Sequence, residues 1–325
     1  MTIPLVTLAD IQRAQQTLRG VAFHTPLLPA FHATADGTQL WLKPENLQPI
    51  GSFKIRGASH KILSLDSDVR ARGVIAYSSG NHAQGVAFAA KACGIPAVIV
   101  MPNNAPAVKI EATRGYGAQV VLYDPATESR EAVAAELMAG QAWTLVPPFD
   151  DPLVIAGQGT IGAEIYADLP TVNLVLVPIG GGGLISGVAA TLKHLNPAVK
   201  LIGVEPALAN DAQQSFRGGA LRAITPAEAW RTIADGVRTL TLSDLTFRHM
   251  QAYVDEVITV TETEIRASTR ELILNNHLWV EPSGALTYAA WRCHQAELPP
   301  AAQTVAIISG GSADPAVIAS ILVGG

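Results

Sequence analysis

An α/β architecture with two open, mostly parallel twisted sheets and helices on both faces is predicted by three observations. Short, continuous apolar runs alternate with helical segments from about residue 73 onward, a pattern that then restarts near residue 151. Strands that read as unbroken apolar runs are buried on both faces, as parallel strands are. The chain has 325 residues, too many for one ordinary core and comfortable for two.

The elements follow in order. Thr7-x-x-Asp10 has capping-box spacing, Leu8, Ile11 and Leu18 fall near one face, and Gly20 can stop the helix. In "QPIGSFKIRGA", Gly51 lets the backbone turn, Ser52 suits an N-cap, and Phe53 onward can be helical. From residue 73, "GVIAYSS", "PAVIVMP", "AQVVLYD" and "WTLVP" read as strands. The helices between them read as "NHAQGVAFAAKACG", closed by Gly94, "APAVKIEATRGYG", ending near Gly115, and "TESREAVAAELMAG", ending at Gly140. Next come a helix over "DPLVIAGQGTIGAEIYADL", the strand "VNLVLVPI", glycines, the helix "LISGVAATLKHL" and the strand "KLIGVEP". An irregular polar stretch leads to the strand "DEVITV" and to helices from about Glu262 to Asn275 and from about Ser283 to Glu297. The strand "TVAIISGG" and the helix "PAVIASIL" come last. Residues 71–148 are expected to be a small inserted α/β domain, and residues 1–70 and 149–325 a larger one. The active site is expected in the cleft between them, at the carboxyl ends of strands.

Composition narrows the partners. The chain is 49% hydrophobic and 15% charged, which excludes disorder. Net charge is −5, from 22 basic and 27 acidic residues spread without long runs, which argues against nucleic acid and anionic membranes. No apolar run approaches the roughly 20 residues that span a bilayer, and the first residues lack the basic and apolar regions of a signal peptide. Cys93 and Cys293 have no metal or redox spacing, so a cytoplasmic location is expected.

Two features carry chemistry. Lys54 falls in the first turn of a helix, where the exposed N–H groups disfavour a cation. The neutral, nucleophilic amine is favoured there. The second feature is Gly180, Gly181, Gly182 and Gly183, between a strand and a helix in "VLVPIGGGGLISG". Backbone free of side chains can curl into a nest of N–H donors backed by the helix N-terminus, a phosphate cradle. A flexible turn is the alternative, though four glycines exceed what a turn requires. A dinucleotide fits poorly even though Glu205 stands where a ribose-binding acid would. In G-x-G-x-x-G the third glycine falls on Ile185 or Ser186, and no P-loop Gly-Lys-Ser/Thr follows. A single phosphate monoester fits better. A phosphate cradle with an activated lysine suggests pyridoxal 5'-phosphate, whose aldehyde condenses with amines and whose ring withdraws electrons.

"GSFKIRGA", "SSGNHAQGVAFAAK", "AGQGTIGAEI", "GGGGL", "TIADGV" and "ISGG" occur in this order. Together they resemble the fold type II pyridoxal-phosphate enzymes of the serine/threonine dehydratase and serine racemase family, whose sheets resemble those of tryptophan synthase β. The resemblance runs from about Leu8 to Ile318. It implies that Lys54 links to the cofactor aldehyde and removes the substrate Cα proton, and that Phe53 lies beside the ring. Asn81 would bond the ring hydroxyl, Gly236 would line the ring with Asp235 behind it, and Ser309 would face the pyridine nitrogen. A hydroxyl there does not hold the nitrogen protonated, which makes the ring a milder electron sink. Ser78, Ser79 and His82 would hold the substrate carboxylate with Asn81, and Ser79 matches the opposite-face base of racemases. Without the resemblance, Ser78 and Asn81 read as ordinary helix caps. Arg130 resembles a substrate-proximal arginine of racemase-type members; by itself it reads as a solvated helix charge. "GGSADP" after Ser309 departs from the family, in which an asparagine commonly follows the two glycines.

In the racemase-like branch, positions matching Glu205, Asp211 and the carbonyl of Ala209 hold a divalent cation, so Mg2+ or Ca2+ is expected there. Two exposed acids are the alternative. The implied activity is an ammonia-lyase (dehydratase) that converts a β-hydroxy amino acid such as L-threonine or L-serine to a 2-oxo acid and ammonia. Serine racemase and threo-3-hydroxyaspartate dehydratase are close rivals. A nucleotide-binding oxidoreductase and a non-catalytic binding protein are the readings from other classes. The family implies a homodimer or homotetramer. No long regulatory segment follows the catalytic unit before Gly325.

Overall fold

The computed structural model of the protein describes residues 3–31 and 38–323. Among them, ten strands form two sheets. They are β1 (Leu28–Pro29), β2 (Gln39–Pro44), β3 (Val74–Tyr77), β4 (Ala97–Pro102), β5 (Gln119–Tyr123) and β6 (Thr144–Leu145). The rest are β7 (Leu174–Pro178), β8 (Lys200–Pro206), β9 (Glu256–Val260) and β10 (Gln303–Ile308). The smaller sheet has the order β5-β4-β3-β6 and is wholly parallel. The larger has the order β1-β2-β10-β7-β8-β9 and is parallel except for the short edge strand β1. Every residue of β4 and of β7 is buried, which is why both read as unbroken apolar runs.

The expected helices and strands largely form; β1, the helix Ser67–Ala71 and the short turns Glu45–Leu47 and Asp235–Val237 are additions, and four other differences have a physical cause. β2 is not among the expected strands; its sequence "QLWLKP" carries a charge. The Lys43 side chain is wholly buried and its Nζ donates to Glu164 Oε2 at 2.7 Å, which makes a lysine tolerable inside the strand. The polar stretch after β8 is not irregular throughout; it contains helices Asp211–Gly218, Pro226–Ala229 and Asp244–Tyr253. The single helix expected from Ser283 is broken into a 3-10 turn (Pro282–Ala285), a helix (Leu286–Cys293) and a second turn (Gln295–Glu297). Gly284 explains the first break: its backbone presses on the chain at Gly310, and a Cβ there would lie 2.4 Å from the Gly310 carbonyl. Finally, Ser52 caps nothing. It pairs with Gly310 as an isolated bridge, and the helix begins at Lys54 with Phe53 at its N-cap.

The first helix forms as Leu8–Thr17, with both halves of the Thr7/Asp10 capping box in place. Gly94 adopts φ +65° beyond helix Asn81–Cys93 and stops it. Helix Pro152–Asp168 lies against helix Gly183–Leu195 and against the helix that carries Lys54. Both contacts are backbone on backbone: a Cβ on Gly187 would lie 2.3 Å from the Ile155 carbonyl, and one on Gly157 would lie 2.7 Å from Gly57 Cα. No described helix is long and apolar enough to cross a membrane.

Candidate active site

Parallel strands deliver their following loops to one end of a sheet. Here β3 ends at Tyr77, just before Ser78 and Ser79; β7 ends at Pro178, just before the glycines; β10 ends at Ile308, just before Ser309. These segments line one cleft of about 970 Å³, its open mouth included. Phe53, Lys54, Asn81, His82, Arg130, Gly180 to Gly183 and Gly236 line the same cleft. Thus every residue expected around the cofactor or substrate lines it, from segments more than 250 residues apart. Glu205, Ala209 and Asp211 do not.

Three helices start in the cleft wall: Lys54–Leu63, Asn81–Cys93 and Gly183–Leu195. Their N-termini carry partial positive charge, which makes the cleft a place for anions. Gly182 takes φ +84° as the N-cap of the third helix, a conformation that suits glycine. A Cβ on Gly181 would lie 2.1 Å from the Phe149 ring. The loop therefore needs glycine both for its backbone path and for its room.

Lys54 is half-buried in this wall. Its Nζ donates to the Pro148 carbonyl at 2.7 Å and stands 5.2 Å from the centre of the Phe53 ring. No carboxylate pairs with it among the described residues. Burial lowers its pKa to about 8, and the helix N-terminus acts in the same direction. A substantial share of the amine is therefore neutral near physiological pH.

The other side chains are held as follows. Asn81 Nδ2 donates to Glu281 Oε1 at 2.6 Å, and Asn81 Oδ1 is buried without a partner. His82 is buried, with Nε2 2.8 Å from the Val146 carbonyl and Nδ1 unpartnered. Burial and the nearby Lys54 charge push its pKa down to about 3, so His82 is neutral. Ser79 is exposed in the cleft, while Ser78 Oγ accepts from the Gly80 N–H at 3.2 Å. Ser309 is buried, and its Oγ makes only a long 3.4 Å bond to the Ser283 carbonyl, leaving it free for a better acceptor. Gly236 donates its N–H to Ser283 Oγ at 2.8 Å. Arg130 stacks 5.1 Å from the Tyr77 ring centre and pairs with Glu131 at 2.7 Å.

Among the cleft residues not singled out from the sequence, two are buried and charged. Glu281 is buried, and its second oxygen has no close hydrogen-bond partner. Lys109, also buried, reaches across to Asp235 Oδ2 at 2.5 Å and lies 3.7 Å from Glu281. Burial would lower the Lys109 pKa, but the charges of Glu281 and Asp235 outweigh it and hold the amine protonated. The sequence carries no signal for either role: Lys109 is one charge in an amphipathic helix, and Glu281 precedes a proline in a loop.

Away from the cleft, Glu205 near the end of β8 and Asp211 at the start of its helix are each only 1% exposed. Two exposed acids are therefore not what the fold contains. Glu205 accepts the N–H groups of Ala212 (3.2 Å) and Gln213 (2.8 Å), and Asp211 Oδ2 has no donor. Burial, then the charge of Asp211, holds the Glu205 carboxyl well above the usual range; burial raises Asp211 to about 7. Among the described residues no three His, Cys, Asp or Glu side chains cluster as a metal site.

The cleft fits an aldehyde with a phosphate arm: an amine without an acid partner, a glycine cradle at a helix N-terminus, and an unpartnered amide oxygen between them. Comparison with known proteins agrees. A family model described as pyridoxal-phosphate dependent enzyme matches residues 18–310. The L-threo-3-hydroxyaspartate ammonia-lyase of Saccharomyces cerevisiae is 40% identical over 100% of this chain and 98% of its own length. The L-threonine ammonia-lyase of Thermotoga maritima is 46% identical over 88% of this chain and 71% of its own. The structure of maize serine racemase superposes with a TM-score of 0.91 at 36% identity, covering 98% of this chain and 97% of that one. The chain belongs to the pyridoxal-phosphate dependent enzymes of fold type II.

Proposed function

We propose that this protein is an ammonia-lyase that removes water from a β-hydroxy amino acid and yields a 2-oxo acid and ammonia. The observation that carries the reading is the placement of Lys54 and the glycine loop in one cleft, with the Lys54 amine bonded to a carbonyl and not to an acid. The curated relatives' names support this reaction class. An oxidoreductase acting through a dinucleotide has no support from the family match.

The roles are those the family resemblance implies, and all these side chains line the one cleft. Gly180 to Gly183 and the helix behind them take a phosphate on backbone N–H groups. Asn81 would offer its unpartnered Oδ1 to the cofactor's ring hydroxyl, and the buried Ser309 Oγ would meet the ring nitrogen without carrying a charge. Ser78, Ser79 and the start of helix Asn81–Cys93 offer hydroxyl and N–H donors to a substrate carboxylate. Pyridoxal phosphate, when bound, supplies the aldehyde that captures an amino group and the ring that acidifies the adjacent C–H. Lys54 Nζ, neutral in part, then takes the Cα proton. The β-hydroxyl departs as water, and hydrolysis of the product releases ammonia. Ser79, exposed in the cleft, would return a proton from the face opposite Lys54, the step a racemase needs. We place residues 71–148 as the smaller domain and the two flanking segments as the larger, so that Lys109–Asp235 bridges them.

Release of ammonia and 2-oxo acid from L-threonine, L-serine, D-serine and threo-3-hydroxyaspartate tests the reading. Turnover of at least one supports it; no turnover of any by fully loaded protein contradicts it. Chiral analysis of unreacted L-serine in the same tubes separates racemase from lyase.

The proposal includes a divalent cation, Mg2+ or Ca2+, at Glu205, Asp211 and the Ala209 carbonyl. Two buried carboxylates without a cationic partner are costly, and a hard cation with oxygen ligands would relieve that cost. Saturating Ca2+ is expected to raise the unfolding midpoint by about 2–4 °C, as binding at 100-fold over Kd should. Asp211→Asn should remove that rise. An unchanged midpoint in wild type at millimolar Mg2+ and Ca2+ would count against the site.

A further inference from the structure

Outside the cleft, the most elaborate buried polar cluster in the described residues surrounds Arg56, two residues beyond Lys54. At 100° per residue, positions two apart point to nearly opposite sides of a helix. Lys54 faces the cleft, while Arg56 faces inward and is 1% exposed. Its guanidinium makes six bonds. Nε and Nη2 donate to the two oxygens of Glu45, both at 2.8 Å. Nη1 and Nη2 donate to the two oxygens of Glu164, at 2.6 and 2.9 Å. Thr160 Oγ1 at 3.0 Å and the Phe23 carbonyl at 2.9 Å complete the set.

This is a fork gripping two carboxylates from two different elements. Glu45 opens the turn that follows β2, and Glu164 lies on helix Pro152–Asp168. Each carboxylate is itself fixed, Glu45 by Thr25 Oγ1 at 2.7 Å and Glu164 by Lys43 at 2.7 Å. Two acids balance two bases, so the cluster exerts little net field on the cleft. The Lys54 amine accordingly owes its lowered pKa to burial, and the Arg56 charge takes no part in it. None of these four charged residues lines the cleft.

We infer that Arg56 is a positioning residue for Lys54: its fork to Glu45 and Glu164 sets the rotation and axial register of the helix from whose first residue Lys54 enters the cleft. The glycine contacts at Gly57 and Gly157 set the distance between the helices, and across the same pair the Gly57 N–H donates to Gln158 Oε1 at 3.1 Å and Lys61 pairs with Asp151 at 2.7 Å. Arg56 adds the most extensive of these constraints and the one nearest Lys54, because a planar fork bonded to two fixed carboxylates has one orientation. A displacement of about 1 Å at a reacting group can cost about 100-fold in rate, which gives such a clamp its use. The inference rests on the role proposed above for Lys54.

The test is Arg56→Lys, which keeps the charge and loses the fork. Competitive acetylation of the apoprotein, read peptide by peptide, gives the titration of each lysine amine without any enzymatic turnover. In wild type the Lys54 reactivity should rise with pH around a midpoint of about 8, because only the deprotonated amine reacts. In Arg56→Lys the midpoint should move up toward the ordinary lysine value by at least half a pH unit, with surface Lys91 unmoved. With cofactor and substrate, kcat should fall at least about tenfold while KM changes less than about threefold. Should Arg56→Lys fail to fold, Glu164→Gln, which loosens one arm, should lower kcat in the same way with KM little changed; because it also leaves the cluster one positive charge in excess, kcat and KM are its readout and the Lys54 midpoint is not. A folded variant with unchanged Lys54 midpoint and unchanged kcat overturns the inference. A shifted midpoint in a protein that turns over no amino acid upholds the positioning role while contradicting the proposed activity.

Discussion

Lys54→Ala is expected to abolish the chemistry while leaving the fold in place. The side chain ends in the cleft, and among the described residues its one hydrogen bond is to the Pro148 carbonyl, which the cleft can rehydrate when the amine is gone. Loss of stability should therefore be small, within about 1 kcal/mol, as for partly exposed sites outside the core. The catalytic loss should be large, because one amine serves both as the covalent anchor and as the base. Removing a general base alone typically costs 10²–10⁴-fold. With the anchor lost as well, ammonia release should fall on the order of 10⁴-fold or more. Circular dichroism and thermal unfolding check the first half; ammonia release with excess cofactor checks the second. A variant that keeps a tenth of wild-type turnover would contradict the role.

The second large effect is expected at Gly181. A methyl group there would stand 2.1–2.4 Å from three atoms of the Phe149 ring, so either the ring or the loop must move. Phe149 is half-buried in the cleft wall next to Pro148, which holds Lys54, so a shift of the ring would itself disturb the cleft. Overpacking of this kind costs about 1–3 kcal/mol. If the loop absorbs it, the N–H nest opens and the cost appears in cofactor affinity, about 10- to 100-fold in Kd. Titration of apoprotein with pyridoxal phosphate, followed by absorbance, measures this. Gly115→Ala, where an added Cβ meets nothing within 4 Å and φ is not positive, is the matched control and should bind as wild type does. Equal affinity for Gly181→Ala and wild type would mean that the phosphate is not held by this loop.

Much of the fold was legible because burial on both faces writes itself as continuous apolar runs, as in β4 and β7. What was not legible depended on partners far away in the chain. Lys43 hides a strand because its charge looks exposed until Glu164, 121 residues on, is brought beside it. Ser52 has the chemistry of a cap but is used to join the chain at Gly310. The break after Pro282 answers to a backbone contact that no local pattern encodes. The same distinction holds in the cleft. Lys54 and the four glycines stand out locally, one by an ill-matched charge and the others by composition. Glu281, Lys109 and the grip of Arg56 on two acids exist only once distant segments meet.

The account depends on one covalent attachment. Borohydride reduction of the holoprotein followed by proteolysis and mass spectrometry locates the lysine that carries the cofactor. The expected result is a single modified peptide, with the reduced pyridoxyl phosphate on Lys54. Modification of another lysine, Lys109 included, with Lys54 untouched would contradict the account.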